Sequence, residues 1–250
     1  MIKNKNPLIL AYHSISDTRK DTLAVSVQNF EQQLAWLKKN NYQSLSLKDL
    51  QNASSKNKIV VITFDDGYRD NYHVALPILI KYGFKATIFI TADFTGTEHI
   101  FWWDKNKIGK YGDEEDFKLL TWDQVNEMIG YGIEFGSHTK KHKLLPDISE
   151  KEARIEIEDS KSKISSMIGS DVSSFCYPAG RLNDSIINMV SQAGYQCGVI
   201  TPPVRGIPKS IFTIRRVGIY YGTSFFKFKI KTKSIFQNII ELAKRQKYLK

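Results

Sequence analysis

Short apolar blocks alternate with amphipathic stretches along the whole chain. Residues 8–12 (LILAY) are continuously apolar, which predicts a buried strand. Ser26 precedes a stretch in which Phe30, Leu34 and Leu37 share one face at spacings of four and three, as in a helix capped by Ser26. Residues 59–64 (IVVITF) are apolar and β-branched, as in a strand covered on both faces. A helix is expected over 69–82, with Pro77 as a kink and Gly83 at its end. Residues 85–91 (KATIFIT) give the next strand, and 92–120 are polar and aromatic, as in an insertion. Helix 121–131, strand 132–137 and helix 150–168 follow. Ser149 and Glu152 form a capping box for the last of these, and Ala153, Ile157, Ile164 and Ile168 share its inner face. Strand 174–177, helix 184–193, strands 195–200 and 211–217, and a helix from about Ser224 complete the pattern.

Such alternation predicts an α/β chain with a mainly parallel sheet in a single domain. A doubly wound sheet and a (β/α) barrel both fit. The first strand runs into AYHSIS, which lacks the Gly-rich phosphate loop of a dinucleotide fold. An incomplete (β/α) barrel is therefore the expected architecture, with its chemistry at the C-terminal ends of the strands. The barrel would occupy 1–223, with the insertion at about 92–120 and a basic tail at 224–250.

Composition narrows the class. Of 250 residues, 42% are hydrophobic and 25% charged, which excludes a disordered chain, a collagen and a small disulfide scaffold. No run approaches the roughly 18–20 apolar residues of a membrane span. The opening apolar run ends at His13 after about five residues, too short for a secretory leader, so a cytoplasmic location is expected. Cys176 and Cys197 then read as buried thiols; a single bridge stays open if export follows another route. The net charge is +10, of which +7 falls in 221–250. Lysines there interleave with Phe225, Phe226, Phe228 and Ile230. A solvated terminal helix and peripheral contact with anionic membrane at its inner face both fit. Nucleic acid is not an expected partner, because the charge is terminal and carries no recognition motif.

Four strand ends carry polar groups. Asp65 and Asp66 follow the 59–64 block directly, where two acids are costly unless paired or bound to a cation. The plain alternative is an Asp-Gly turn. Strand geometry would send the two side chains to opposite sides, which excludes a glycosidase pair. His138 and His142, in SHTKKH, stand four apart, a spacing that suits one metal ion on a helical turn. Alone they read equally as surface histidines. Thr139 occupies the place of the Glu that a His-Glu-x-x-His protease needs. With Asp66 they make a facial carboxylate and two-imidazole set with open positions. Tyr177, Pro178, Ala179, Gly180 and Arg181 form a turn able to aim a backbone N–H at a ligand. His13 ends the first block and, taken alone, is an ordinary polar strand end.

TFDDG at 63–67, SHTKKH at 137–142 and YPAGR at 177–181 make the chain resemble the polysaccharide deacetylase family, carbohydrate esterase family four. LAYHSIS at 9–15 and FEQQLAWL at 30–37 are similar to the permuted branch that contains the biofilm poly-N-acetylglucosamine deacetylases. The resemblance spans about 7–220 and implies a distorted, incomplete (β/α) barrel with one divalent metal. It implies Asp65 as general base, and Asp66, His138 and His142 as metal ligands. It also implies a substrate groove at Tyr177–Gly180, with an oxyanion-binding N–H near Ala179. Two features depart from the family pattern. Phe175, Cys176 and Tyr177 stand where many members place an Arg that contacts the catalytic Asp, and Arg215 or Arg216 is a candidate replacement. No histidine follows His142, so the acid falls to His13, the match to the permuted branch, with His73 and His99 as bystanders.

The expected activity is metal-dependent removal of N-acetyl groups from N-acetylhexosamine units of a glycan or a lipid-linked oligosaccharide. An O-acetyl esterase and an inactive glycan-binding homologue are the alternatives. Zinc is the expected metal, and cobalt, nickel or manganese would also suit a His₂Asp set. In the insertion, Trp103 is placed to stack on a sugar face and Asp104 to accept from its hydroxyls, or else both pack over the barrel rim. Trp122 is expected in the core.

Overall fold

A β-branched run buried on both faces satisfies its backbone N–H and C=O groups by pairing along both edges. The central strand does so in the computed structural model, which describes residues 7–50, 58–201 and 210–233. The chain begins with β1 (Leu8–Tyr12), β2 (Ser14–Ile15), β3 (Ala24–Val25), α1 (Val27–Lys39), β4 (Tyr42–Ser44), α2 (Leu47–Leu50) and β5 (Lys58–Phe64). It continues through α3 (Leu76–Tyr82), β6 (Thr87–Ile90), α4 (Trp102–Lys105), α5 (Trp122–Gly130), β7 (Glu134–Ser137) and α6 (Glu150–Ile168). It ends with β8 (Ser174–Cys176), α7 (Asp184–Gln192), β9 (Cys197–Ile200), β10 (Ile214–Arg215), β11 (Val217–Gly218) and α8 (Phe225–Lys231).

The main sheet has the order β10-β9-β8-β7-β6-β5-β1-β11, with β4 added beside β5, and its pairings are parallel. Its two edge strands are consecutive in the chain and flank Arg216. Ile214 and Arg215 pair with Val199 and Ile200, while Val217 and Gly218 pair with Leu10 and Ala11. One interrupted segment thus joins both edges, and the sheet is a nearly closed eight-strand parallel barrel, as expected. Side chains alternate across it. Leu8, Leu10, Tyr12, Val60, Ile62 and Phe64 pack beneath helices, against Phe30, Leu34 and Leu37 of α1. Ile9, Val61, Phe89, Cys176, Val199 and Ile214 cluster on the other side, inside the barrel.

Local signals fix the helices. Ser26 caps α1 by accepting the Asn29 N–H (3.3 Å), and the Ser149–Glu152 capping box opens α6. The expected helix over 69–82 is divided. Asn71–Ala75 form a π-turn, closed by the Leu76 N–H on the Asn71 carbonyl, and Pro77 sits in the first turn of α3, where its missing N–H does no harm. The expected strand 211–217 is broken because Arg216 turns its N–H to the Ile200 carbonyl while the next residues move over to β1.

The insertion is tied down by buried charge. Arg19 is fully buried, bonds Asp21 (3.0 and 2.9 Å) and Asp104 (3.1 Å), and lies over the rings of Tyr68 (4.2 Å) and Phe117 (4.6 Å). Lys107 adds bonds to Asp21 (2.5 Å) and Asp104 (2.8 Å). A guanidinium is tolerable there because two carboxylates neutralise it. Above it Phe101, Tyr68 and Leu119 form a small apolar cluster with Phe94 and Trp103. Trp122 packs at the edge of the main core, and Cys176 and Cys197 are free, buried thiols.

The described part of the basic tail is α8, capped by Ser224. Phe228 is buried against Trp36 of α1 and Phe225 is half-buried, so of the three phenylalanines Phe226 alone is exposed. Lys244, Arg245, Lys247 and Lys250 lie outside the described residues. Phe228→Ala should destabilise the protein by about 3–5 kcal/mol, the usual cost of a large buried aromatic, measured by chemical denaturation.

Candidate active site

The C-terminal ends of β1, β5, β7 and β8 converge on one cavity of about 740 Å³. Asp65 continues the inward-facing series Val61 and Thr63, and His13 continues Ile9 and Ala11. Strand geometry governs only as far as Phe64. Asp66 and Gly67 both adopt φ 72°, a left-handed turn that brings Asp66 to the same cavity as Asp65, not to the opposite side. Gly67 is required there, since a Cβ would lie 2.8 Å from Ile90 Cγ2.

His138 follows β7 directly. His142 reaches it through a bend in place of the expected helical turn. Thr139 (φ 66°) and His142 (φ 56°) are left-handed, Ser137 Oγ accepts the Thr139 N–H (3.1 Å), and Thr139 Oγ1 accepts the His142 N–H (2.9 Å). The imidazoles stand 4.6 Å apart at 86°. Their Nε2 atoms lie 3.5 Å (His138) and 3.4 Å (His142) from Asp66 Oδ1. His138 donates Nδ1–H to the Cys176 carbonyl (2.8 Å), which turns the Nε2 lone pair toward Asp66.

Asp66 Oδ1 is buried and, among the described residues, has no hydrogen-bond partner. Burial, then the charge of Asp65, pushes its carboxyl well above the usual range. Burial likewise holds His138 below its ordinary value and His142 well below. An orphaned carboxylate oxygen facing two imidazole nitrogens fits a divalent cation, which would give Asp66 Oδ1 the partner it lacks. Asp65, His138 and Cys176 form a second convergent group. It suits a cation less, because Arg216 Nη2 already lies 3.1 Å from Cys176 Sγ.

Asp65 is gripped by Arg216 through two parallel bonds of 2.7 Å, Nη1 to Oδ1 and Nη2 to Oδ2. Arg216 is itself held by Thr63 Oγ1 and Thr201 Oγ1 (2.9 Å each) over the Phe89 ring. Burial alone would raise the Asp65 carboxyl, but the guanidinium outweighs it and holds Asp65 below the ordinary carboxylate range. Of the two candidate arginines it is thus Arg216, at the break between β10 and β11, that stands on the carboxylate. His13 Nε2 is 4.0 Å from Asp65 Oδ2, its ring beside Tyr220, and burial lowers its pKa to about 4.

Other expected residues separate. His73 meets Gln124 (3.3 Å) and His99 stacks on Phe94 (3.5 Å); neither lines the cavity. Tyr177 and Ala179 line it, with Ala179 left-handed (φ 51°), whereas Pro178 and Gly180 are buried and shape the turn. Trp103 also lines it, stacked on Phe101 (4.3 Å) and 4.6 Å from His142. The expectation that Asp104 accepts from sugar hydroxyls is corrected: it is fully buried, with its oxygens taken by Arg19, Lys107 and Tyr68 (2.5 Å). Its neighbour Trp102, 77% exposed, is the residue at the mouth. Sequence reasoning alone does not single out Tyr220, although it too follows a barrel strand.

Residues 52–198 match the family model described as polysaccharide deacetylase. The chain is 34% identical over 232 residues to YxkH of Bacillus subtilis, which is named for the polysaccharide deacetylases, covering 89% of this chain and 76% of that protein. It is 27% identical over 212 residues to a poly-beta-1,6-N-acetyl-D-glucosamine N-deacetylase of Staphylococcus epidermidis, covering 79% and 68%. Among solved structures it is similar to the Streptococcus pyogenes deacetylase PplD in complex with acetate, with TM-score 0.74, 29% identity, and coverage of 91% of this chain and 98% of that one.

Arg216→Gln leaves a buried carboxylate unpaired and should cost about 3–5 kcal/mol at neutral pH. The loss should shrink on acidification, because the Asp65 carboxyl, freed of the guanidinium, takes a proton at higher pH. Arg216→Lys should rescue only in part, since it lacks the two-pronged geometry. Denaturation of both variants from pH 7 to pH 4 measures this.

Proposed function

Because this chain belongs to the polysaccharide deacetylase family, we propose that it is a divalent-metal-dependent hydrolase that removes N-acetyl groups from N-acetylhexosamine units of a glycan. The observation that carries this reading is the convergence of Asp66 Oδ1 with two imidazole nitrogens, beside a separate carboxylate and a third imidazole. Asp66, His138 and His142 would hold the metal, with zinc as the first choice and cobalt, nickel or manganese also suited. Once bound, such an ion lowers the pKa of water and polarises the acetyl carbonyl.

The protein's own groups then divide the proton work. Arg216 keeps Asp65 ionised and orients it; Oδ1 also accepts from the Cys176 thiol (3.6 Å), whereas Oδ2, bonded among the described residues by Arg216 Nη2 alone, retains a lone pair free to accept. Asp65 takes the proton of the attacking water as the C–O bond forms. His13 starts neutral, because its pKa is lowered to about 4 by burial. It therefore acts as a donor on a proton received within the turnover, and Asp65, 4.0 Å away, has just collected one. Delivery of that proton to the nitrogen as the C–N bond breaks yields acetic acid and the amine, which leave as acetate and an ammonium group once the acid's proton passes to the amine, and returns the site to its starting charge. The backbone N–H of Ala179, on the cavity wall, is the proposed donor to the oxyanion.

The rim offers an aromatic wall. Trp103 is fixed by Phe101 and by its Nε1–H to Tyr68 Oη (3.4 Å), while Trp102 leaves its indole open at the mouth. Trp102 is proposed to stack on a sugar ring next to the reacting one. The likeness to a poly-beta-1,6-N-acetyl-D-glucosamine N-deacetylase makes that polymer the first glycan to try.

Acetate release from N-acetylated glucosamine oligomers, with metal content measured in parallel, tests the reading. Asp65→Asn should keep the metal and lose roughly 10²–10⁴-fold in rate. His138→Ala should lose metal and rate together. His13→Ala should keep the metal and slow amide cleavage more than ester cleavage, because an amine leaves poorly without a proton; full amide activity in this variant would remove His13 from the reaction. Trp102→Ala should raise KM for oligomers and leave the rate on a small acetyl ester unchanged.

A further inference from the structure

His13 occupies a weak point in the backbone. It lies between β1, which belongs to the barrel, and β2, which pairs with β3 in a separate two-stranded sheet. Its imidazole is not fixed from behind, since Nδ1 is buried and has no hydrogen-bond partner among the described residues. Two side chains from another segment hold the chain from the His13 carbonyl to the Ile15 N–H. Asn71 donates Nδ2–H to the His13 carbonyl (2.8 Å) and to Asp70 Oδ1 (2.7 Å). Both partners are acceptors, which fixes the orientation of the amide. Asp70 in turn accepts the Ile15 N–H at Oδ1 (3.2 Å) and the Ser14 hydroxyl at Oδ2. Asn71 is buried and opens the π-turn that leads into α3.

We propose that Asp70 and Asn71 are positioning residues that set His13 against Asp65. The segment 65–71 then carries the carboxylate that takes the proton and, a few residues on, the clamp on the backbone of the residue whose imidazole returns it. The Asp65 N–H donates to the Tyr12 carbonyl (3.0 Å), so main-chain and side-chain bonds from one loop fix both members of the pair. A 4.0 Å gap needs such bracing, because small displacements of reacting groups reduce rates steeply. The inference rests on the acid role proposed for His13.

The test compares Asn71→Ala with the milder Ser14→Ala, which removes one bond to Asp70 and serves if Asn71→Ala does not fold. Each is examined by crystallography for the place of the imidazole, and by kinetics on an N-acetyl amide and an O-acetyl ester. In Asn71→Ala the imidazole should move from Asp65, and kcat for the amide should fall roughly 10- to 100-fold. KM and metal content should hold, the ester rate should fall less, and Asn71→Ala should add little in a His13→Ala background. An imidazole that keeps its place, or an equal fall of both rates that persists without His13, overturns the proposal. An imidazole that moves while the amide rate holds upholds the clamp and removes His13 as the acid.

Discussion

A buried carboxylate oxygen set against two imidazole nitrogens is unstable unless something positive lies between them. Oδ1 of Asp66 is in that position, 3.5 and 3.4 Å from His138 and His142. The surrounding backbone is bent to create it. Asp66, Thr139 and His142 all adopt left-handed conformations that ordinary residues avoid. The bend that carries the imidazoles is held by the Thr139 N–H on Ser137 Oγ, the His142 N–H on Thr139 Oγ1 and the His138 Nδ1–H on the Cys176 carbonyl.

Closure of the barrel and the electrostatics of the cavity come from the same residue. The last strand must leave β9 for β1, and Arg216 is the residue at which it crosses. Its guanidinium enters the top of the barrel, above Phe89, and meets Asp65. Two adjacent carboxylates are thereby set apart. Asp65 is neutralised by an arginine that holds its carboxyl below the ordinary range, whereas Asp66 has no such partner and faces two imidazoles. The proposed division of roles, Asp65 as base and Asp66 as ligand, follows from which of the two the arginine reaches.

Much of this was legible in the sequence. The continuous apolar blocks around residues 8–12 and 59–64 imply parallel strands, and Ser26 and the Ser149–Glu152 pair mark helix starts that the structure keeps. The strand ends at Asp65, Asp66, His138 and His13 imply a shared cavity once a barrel is assumed. What pattern alone does not resolve is backbone detail. Alternation separates Asp65 from Asp66, yet a single positive φ reunites them. Choosing Arg216 over Arg215 requires knowing where the last strand breaks. Asp104, polar and beside two tryptophans, reads as a sugar contact, but a buried arginine 85 residues earlier claims it. Such partners are set by tertiary packing, which no local window contains.

The most direct measurement of the central claim is titration of chelator-stripped protein with a divalent ion, with bound metal and acetate release from N-acetylated glucosamine oligomers followed together. The account requires that stripped protein release no acetate, that activity return in step with one ion bound per chain, and that Asp66→Ala abolish both. Turnover by the stripped protein, or an ion that binds equally well without Asp66, would contradict it.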